Sequence, residues 1–313
     1  MVDNKQQWKA WLYLSPAIVL LLIFTVWPIF NTLRMAFMDG YKLMSAPGTV
    51  YSIGIDNFKQ VIGYKGFVTC LKNTLLLTVL TVPLSTIVAL LIAVCLNAIK
   101  PFQRFLQTIF FLPYVTNSIA IGMVFEAMFA IIGTAIGYEG ENIVSFGLIN
   151  SALGALGIDP INWINAGSSY WANIWVMVIY IVWNALPFKI LILLGGLQSI
   201  NRQYYDAAKV DGTSRRRIFS RITVPLLSPM IAYVVITGFI GGFKEYSSIV
   251  GIFGEDLGPT GAPYRLDTMV GFIYRALENN QQGRASAAAL ILFAIIFVVT
   301  MINLSVSKKK THY

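Results

Sequence analysis

The sequence predicts an all-α membrane protein whose chain crosses the bilayer six times. Three observations carry this. Of the 313 residues, 57% are hydrophobic and only 12% are charged, about half the charged fraction of an ordinary soluble domain. Six apolar runs, at 12–37, 74–96, 105–132, 170–194, 222–250 and 285–304, are each of the length needed to cross a hydrocarbon core of about 30 Å, roughly 20 helical residues. Lone segments in lipid have to be helices, because only a helix pairs its backbone groups within one segment. The basic residues, finally, gather in alternate connections. With the amino terminus inside, the inner segments hold Lys5, Lys9, Lys100, Arg104, Arg202, Lys209, Arg215, Arg216, Arg217, Arg221, Lys308, Lys309 and Lys310, which are 13 of the 23 Lys and Arg. The same segments hold only Asp3, Asp206 and Asp211 of the 14 acidic residues. The positive-inside rule therefore places both termini in the cytoplasm.

The length would allow two soluble domains, but the composition points to a single membrane bundle, and the net charge of +9 belongs against anionic inner-leaflet lipid. That assignment leaves nucleic acid without a role as partner. Residues 1–11 form a cytoplasmic arm, with Trp8, Trp11 and Tyr13 as interfacial anchors. The first run is too long for a signal-peptide core and lacks a small-residue cleavage site, so it reads as a retained span at 12–37. Residues 38–69 form an outer loop with turn signals at Asp39-Gly40 and Pro47-Gly48. Residues 70–304 hold the other five spans, and 305–313 form a cytoplasmic tail. Pro16, Pro28, Pro83, Pro113 and Pro187 lie in or beside spans and mark expected kinks.

The second span opens at Lys72-Asn73-Thr74, and an inner turn broken by Pro101 follows it. Cys70 and Cys95 sit at opposite ends of this span and do not pair. The third span carries Ser118, Gly122 and Glu126 on one helix face. Glu126 has two readings, an interfacial carboxylate or a residue lining a solute path. Residues 133–167 are rich in Gly and Asn and too broken to span, so short helices over the outer mouth are expected. Asn173, Tyr180, Asn184 and Pro187 form one stripe on the fourth span. Such a stripe either lines a polar path or bonds helix to helix. Phe239, Phe243 and Tyr246 form an aromatic stripe at the end of the fifth span, beside Lys244 and Glu245. Aromatic faces flanked by hydrogen-bonding groups suit sugar rings; ordinary bundle packing is the other reading. Small residues from Gly283 to Ala287 open the sixth span and permit close helix approach.

The most polar stretch between two spans is 201–221. It reads as two short helices with a break at Asp211-Gly212, where glycine supplies backbone freedom. Four arginines, Arg215, Arg216, Arg217 and Arg221, make the second helix cationic. The stretch is either a solvated connector or a handle for a soluble partner.

Its residues carry a resemblance. Asp206-Ala207-Ala208, three residues, Gly212, nine residues, Ile222, one residue, Val224-Pro225 resembles the EAA loop of the membrane subunits of bacterial ABC importers. That loop reads Glu-Ala-Ala, Gly, Ile and Leu-Pro at the same spacing, so Asp206 and Val224 depart from it. The strings Gly147-Leu148-Ile149-Asn150, Leu156-Gly157-Ile158 and Asn162-Trp163-Ile164 before the fourth span, and Leu193 to Ile200 after it, resemble the carbohydrate branch. The resemblance covers Cys70 to the C-terminus; a further span ahead of it is common in that branch. It implies a type I importer fold and binding-protein-dependent uptake of a carbohydrate by alternating access. It also implies a second, homologous membrane subunit, two copies of a cytoplasmic ATPase and an extracellular solute-binding protein as partners. Tyr205, Asp206, Ala207, Ala208, Asp211, Gly212, Arg216 and Phe219 would dock the ATPase. Glu126, Tyr180, Asn184, Phe239, Phe243, Lys244, Glu245 and Tyr246 are candidates for the solute path.

No Gly-x-x-x-x-Gly-Lys-Ser/Thr sequence is present, so ATP and magnesium belong to the partner and this chain binds no cofactor of its own. One histidine, His312, and two cysteines offer no zinc or haem constellation. A secondary transporter or channel would favour an internal inverted repeat, and none is evident. An enzyme would want a convergent cluster of reactive side chains inside the spans, which the scattered carboxylates do not make.

Overall fold

The computed structural model describes residues 7–46, 48–99, 103–136 and 142–310. Asp3, Lys5, Pro47, Lys100, Pro101 and His312 lie outside the described residues. The chain is mostly helical and divides into two compact units, 1–67 with 272–293, and 68–271 with 294–313.

The first unit opens with α1, Trp8–Phe37, in whose most apolar window no residue is buried by the chain itself. Its helix widens to a π turn at Leu22–Val26, where the Trp27 amide donates to the Leu22 carbonyl. Pro28 follows at once; it has no amide to offer and its ring crowds the carbonyl one turn back, which a widened turn relieves. The loop after α1 is short-wired to a second helix, α2, Asp56–Ile62. Asn57 at its start is fully buried. Its side-chain amide donates to the carbonyls of Ala36 and Met38, and its oxygen accepts from the Gly40 amide. This one side chain closes the turn that the Asp39-Gly40 pair announces.

The second unit holds most of the apolar helices. They are α3, Phe67–Ala98; α4, Gln103–Val115; α5, Ser118–Phe129; and, after a short helix α6, Leu148–Ala155, the long α7, Tyr170–Ser199. A helical hairpin follows, α8, Arg202–Val210, and α9, Arg215–Leu226. Next come α10, Ser228–Gly242, and α11, Ser247–Phe253; α12, Met269–Glu278, and α13, Gln282–Lys310, each have residues in both units. Among the described residues four helices are long and apolar enough to cross a membrane, or five when α9 and α10, bent by 66°, count as one span.

Three local features differ from the sequence reading. The run at 105–132 is two helices rather than one. Asn117 breaks it, its side chain accepting from the Ile119 and Ala120 amides as an N-cap. The run at 222–250 ends its helix at Gly242, and α11 is a separate element. The segment after α5 is not helical at first but an antiparallel hairpin, β1, Ile131–Ile136, with β2, Asn142–Phe146, and an irregularity between Ile131 and Gly133. The chain is thus not purely α. The β-branched content of Ile131, Ile136, Ile143 and Val144 favours strand.

Two apolar cores fill the second unit. One gathers Leu77, Phe125, Phe129, Ile174, Val178, Tyr180, Ile249 and Ile252. The backbones of α5 and α11 meet closely in it: a Cβ on Gly122 would lie 2.6 Å from the Gly251 Cα. The other gathers Ala89, Ala93, Leu96, Leu193, Leu197, Leu227 and Val234. It ties the ends of α3 and α7 to the joint between α9 and α10.

Candidate functional site

Two places in the second unit combine polar chemistry with apolar surroundings. The first is the hairpin of α8 and α9. Asn201 caps α8 by accepting from the Gln203 amide at 3.0 Å. The helix ends in a Schellman motif. The Thr213 amide reaches back to the Ala208 carbonyl at 2.9 Å, and the Gly212 amide to the Lys209 carbonyl at 3.0 Å. Gly212 stands at φ +65°, with nothing within 4 Å of where a Cβ would be. Only the backbone conformation, not crowding, demands glycine there.

Ala208 is buried, while Asp206, Ala207, Asp211 and Arg216 are exposed and Tyr205 and Phe219 half-buried. Asp206 pairs with Lys209 at 3.1 Å on the open face. Tyr205 reaches the Thr223 hydroxyl at 3.3 Å, fastening α8 to the π turn Phe219–Thr223 within α9. As in α1, that wide turn ends just before a proline, Pro225, and the Val224 amide donates to the Phe219 carbonyl. The eight docking candidates thus share one element. A groove of about 1290 Å³ runs along it, lined by Asn97, Gln198, Tyr205, Asp206, Lys209, Arg215 and Phe219 among others. A rigid polar elbow joined directly to two apolar helices, with an open groove, can transmit a displacement at its tip to both of them.

The second place is a cavity of about 400 Å³ between α3, α5, α7 and α10. Its wall carries Thr81 and Ser85, Tyr114, Thr116 and Ser118, Asn184, Phe188 and Lys189, Thr237, and Glu245. Aromatic, hydroxyl, amide and charged groups stand side by side, the mixture that holds a polyhydroxylated ring. Thr81 and Ser85 of this wall belong to a sequence stripe on α3. Thr74, Thr78, Thr81 and Ser85, spaced four, three and four apart, are all buried. Each donates to the carbonyl one turn back, and the Thr74 oxygen accepts in turn from the Met269 amide at 3.0 Å.

Of the eight path candidates, the cavity brings together Asn184 and Glu245. Tyr180 is fully buried beside it; its hydroxyl donates to the Ser118 carbonyl at 2.7 Å, and Phe125 packs edge-on against its ring at 5.0 Å. Glu126 is exposed and stands off the cavity wall, as does Lys244. The aromatic stripe does not form one face, because α10 stops at Gly242 and Tyr246 has φ −154°. Phe243 is buried, and Tyr246 packs on the first apolar core. Glu245 accepts from the Ser248 amide at 3.3 Å.

Sequence reading passed over Lys189. It is the one charged residue between Tyr170 and Ser199, a rarity that marks function in a span. The hydroxyl stripe of α3 was the second missed signal, legible from its helical spacing.

Known proteins resemble this chain over most of its length. Residues 72–312 match the family model described as binding-protein-dependent transport system inner membrane component. The arabinooligosaccharides transport system permease protein AraP of Bacillus subtilis (strain 168) is 30% identical over 300 residues, 95% of this chain and 88% of that protein. The lactose transport system permease protein LacF of Rhizobium radiobacter is 28% identical, over 94% of this chain and 91% of its own length. The fold superposes on a chain of a bacterial ABC transporter involved in the import of alginate, with TM-score 0.77, 23% identity, and coverage of 99% and 98% of the two chains.

Proposed function

Because the chain belongs to the family of binding-protein-dependent transport system inner membrane components, we propose that it is the membrane permease subunit of an ATP-driven importer for a carbohydrate, working by alternating access. The relatives named for arabinooligosaccharide and lactose transport support a sugar, with an oligosaccharide favoured. In this reading the chain crosses the cytoplasmic membrane six times with both termini inside. The split helices α4 and α5 make the third crossing, and α9 with α10 the fifth.

The observation that carries the proposal is the hairpin of α8 and α9, closed by its Schellman turn at Gly212. Its exposed Asp206, Ala207 and Arg216 would enter a cleft of a cytoplasmic ATPase, which holds ATP and magnesium. Closure of two such ATPases would draw this elbow toward that of a second, homologous membrane subunit, and α7 and α10 would tilt with it. An extracellular binding protein would hand the solute to the cavity that Asn184, Phe188, Thr237 and Glu245 line. Hydrolysis then resides on the partner, and this chain supplies the path.

The test is purification of the chain from native membranes. An ATPase and a second multi-span subunit should accompany it, and reconstituted vesicles should take up a labelled oligosaccharide with ATP. A chain that purifies alone and moves solute without ATP would point to a secondary transporter.

A further inference from the structure

Lys189 is 4% exposed. Its Nζ donates to the Ser85 hydroxyl at 2.7 Å, the Thr86 hydroxyl at 2.9 Å and the Val82 carbonyl at 3.1 Å. Both hydroxyls have already committed their protons, Ser85 to the Thr81 carbonyl and Thr86 to the Val82 carbonyl. Three oxygens that can only accept therefore face one nitrogen, which suits an ammonium with its three donors. On the opposite side, a Cβ at Gly238 would lie 3.2 Å from Nζ, so that glycine leaves the ammonium its room. Among the described residues no carboxylate lies within 4.0 Å of it. The result is a fixed positive charge, without a counter-ion, on the wall of the membrane-embedded cavity.

We propose that Lys189 is a cation barrier: it lets an uncharged sugar through the cavity while repelling sodium ions and protons. This rests on the permease reading above. The need for a barrier comes from Glu245, which lines the same cavity. A carboxylate facing water at membrane depth attracts cations. Glu245 lies seven residues beyond Gly238, past the end of α10 at Gly242. A cation drawn to Glu245 enters the cavity that the ammonium also lines, and in a low-dielectric wall their repulsion is poorly screened. A neutral solute meets no such cost. All three Nζ donors are spent on the protein, so the residue acts through its field rather than by gripping the solute, in the way a fixed charge excludes cations from other pores.

The experiment reconstitutes the complete purified complex in vesicles and measures sodium and proton entry with trapped dyes, during ATP turnover and without it. K189M and K189Q remove the charge, and K189R keeps it. ATP hydrolysis and co-purified ATPase, measured on the same vesicles, report assembly, so failure of the permease reading shows there first. The expected result is cation entry raised about tenfold or more during turnover in K189M or K189Q, with K189R as tight as the unmodified complex. If the neutral variants assemble, hydrolyse ATP and leak no more than the parent, or if K189R leaks as they do, the barrier is not Lys189.

Discussion

The Thr213 amide donates to the Ala208 carbonyl at 2.9 Å, and that single bond sets the angle between the two helices of the polar elbow. It exists only because Gly212, between them, takes φ +65°. A left-handed residue other than glycine costs about 1–2 kcal/mol, and asparagine less than a β-branched one. Since no atom lies within 4 Å of a Cβ at this position, the cost is conformational alone. G212V is expected to insert normally but to lose ATP-dependent uptake by about tenfold or more, while G212N keeps most of it. Uptake per inserted protein, compared for the two variants, checks this.

Asp206 faces solvent, paired with Lys209 at side-chain exposures of 67% and 70%. A pair this exposed contributes about 0–1 kcal/mol, so its loss should barely move thermal unfolding. If the carboxylate meets the ATPase, D206K will reduce co-purified ATPase several-fold at unchanged melting temperature. Equal yields of ATPase from both chains would take Asp206 out of the contact.

Glu245 lines the cavity and Lys244 does not. E245Q should therefore change the concentration of sugar at half-maximal uptake, with ATPase association intact, whereas K244Q should leave uptake within about twofold of the parent. Initial rates over a range of sugar concentrations separate the two.

Tyr180 shares a sequence stripe with Asn184 but serves another end. Its hydroxyl bond to the Ser118 carbonyl fixes α7 against α5. Y180F loses one part-buried hydrogen bond, about 1 kcal/mol, and should lower the unfolding temperature of the complex by a few degrees. Sugar uptake below that temperature should persist.

How far the sequence revealed this depends on the kind of signal. The elbow was fully legible, because its spacing, its Gly212 and its arginines are local features that need no partner to interpret. The apolar runs gave the long helices α1, α3, α7 and α13. They missed the break at Asn117, since a polar residue inside an apolar run reads as tolerated until its side chain is seen capping two amides. The cavity was only half legible. Periodicity put Phe239, Phe243 and Tyr246 on one face, but that inference assumed a helix continuing past Gly242, where the chain instead turns. Lys189 and the hydroxyls of α3 are visible as residue types, yet their meeting spans 103 and 104 residues of chain and belongs to tertiary structure.

Coupling to ATP requires the elbow to meet a nucleotide-hydrolysing neighbour. A photocrosslinking residue in place of exposed Ala207, activated in native membranes with and without ATP, asks this directly. The expected product is a crosslink to a cytoplasmic ATPase whose yield changes with nucleotide. A crosslink to lipid alone, or to a protein on the outer face, would rule out docking by the elbow.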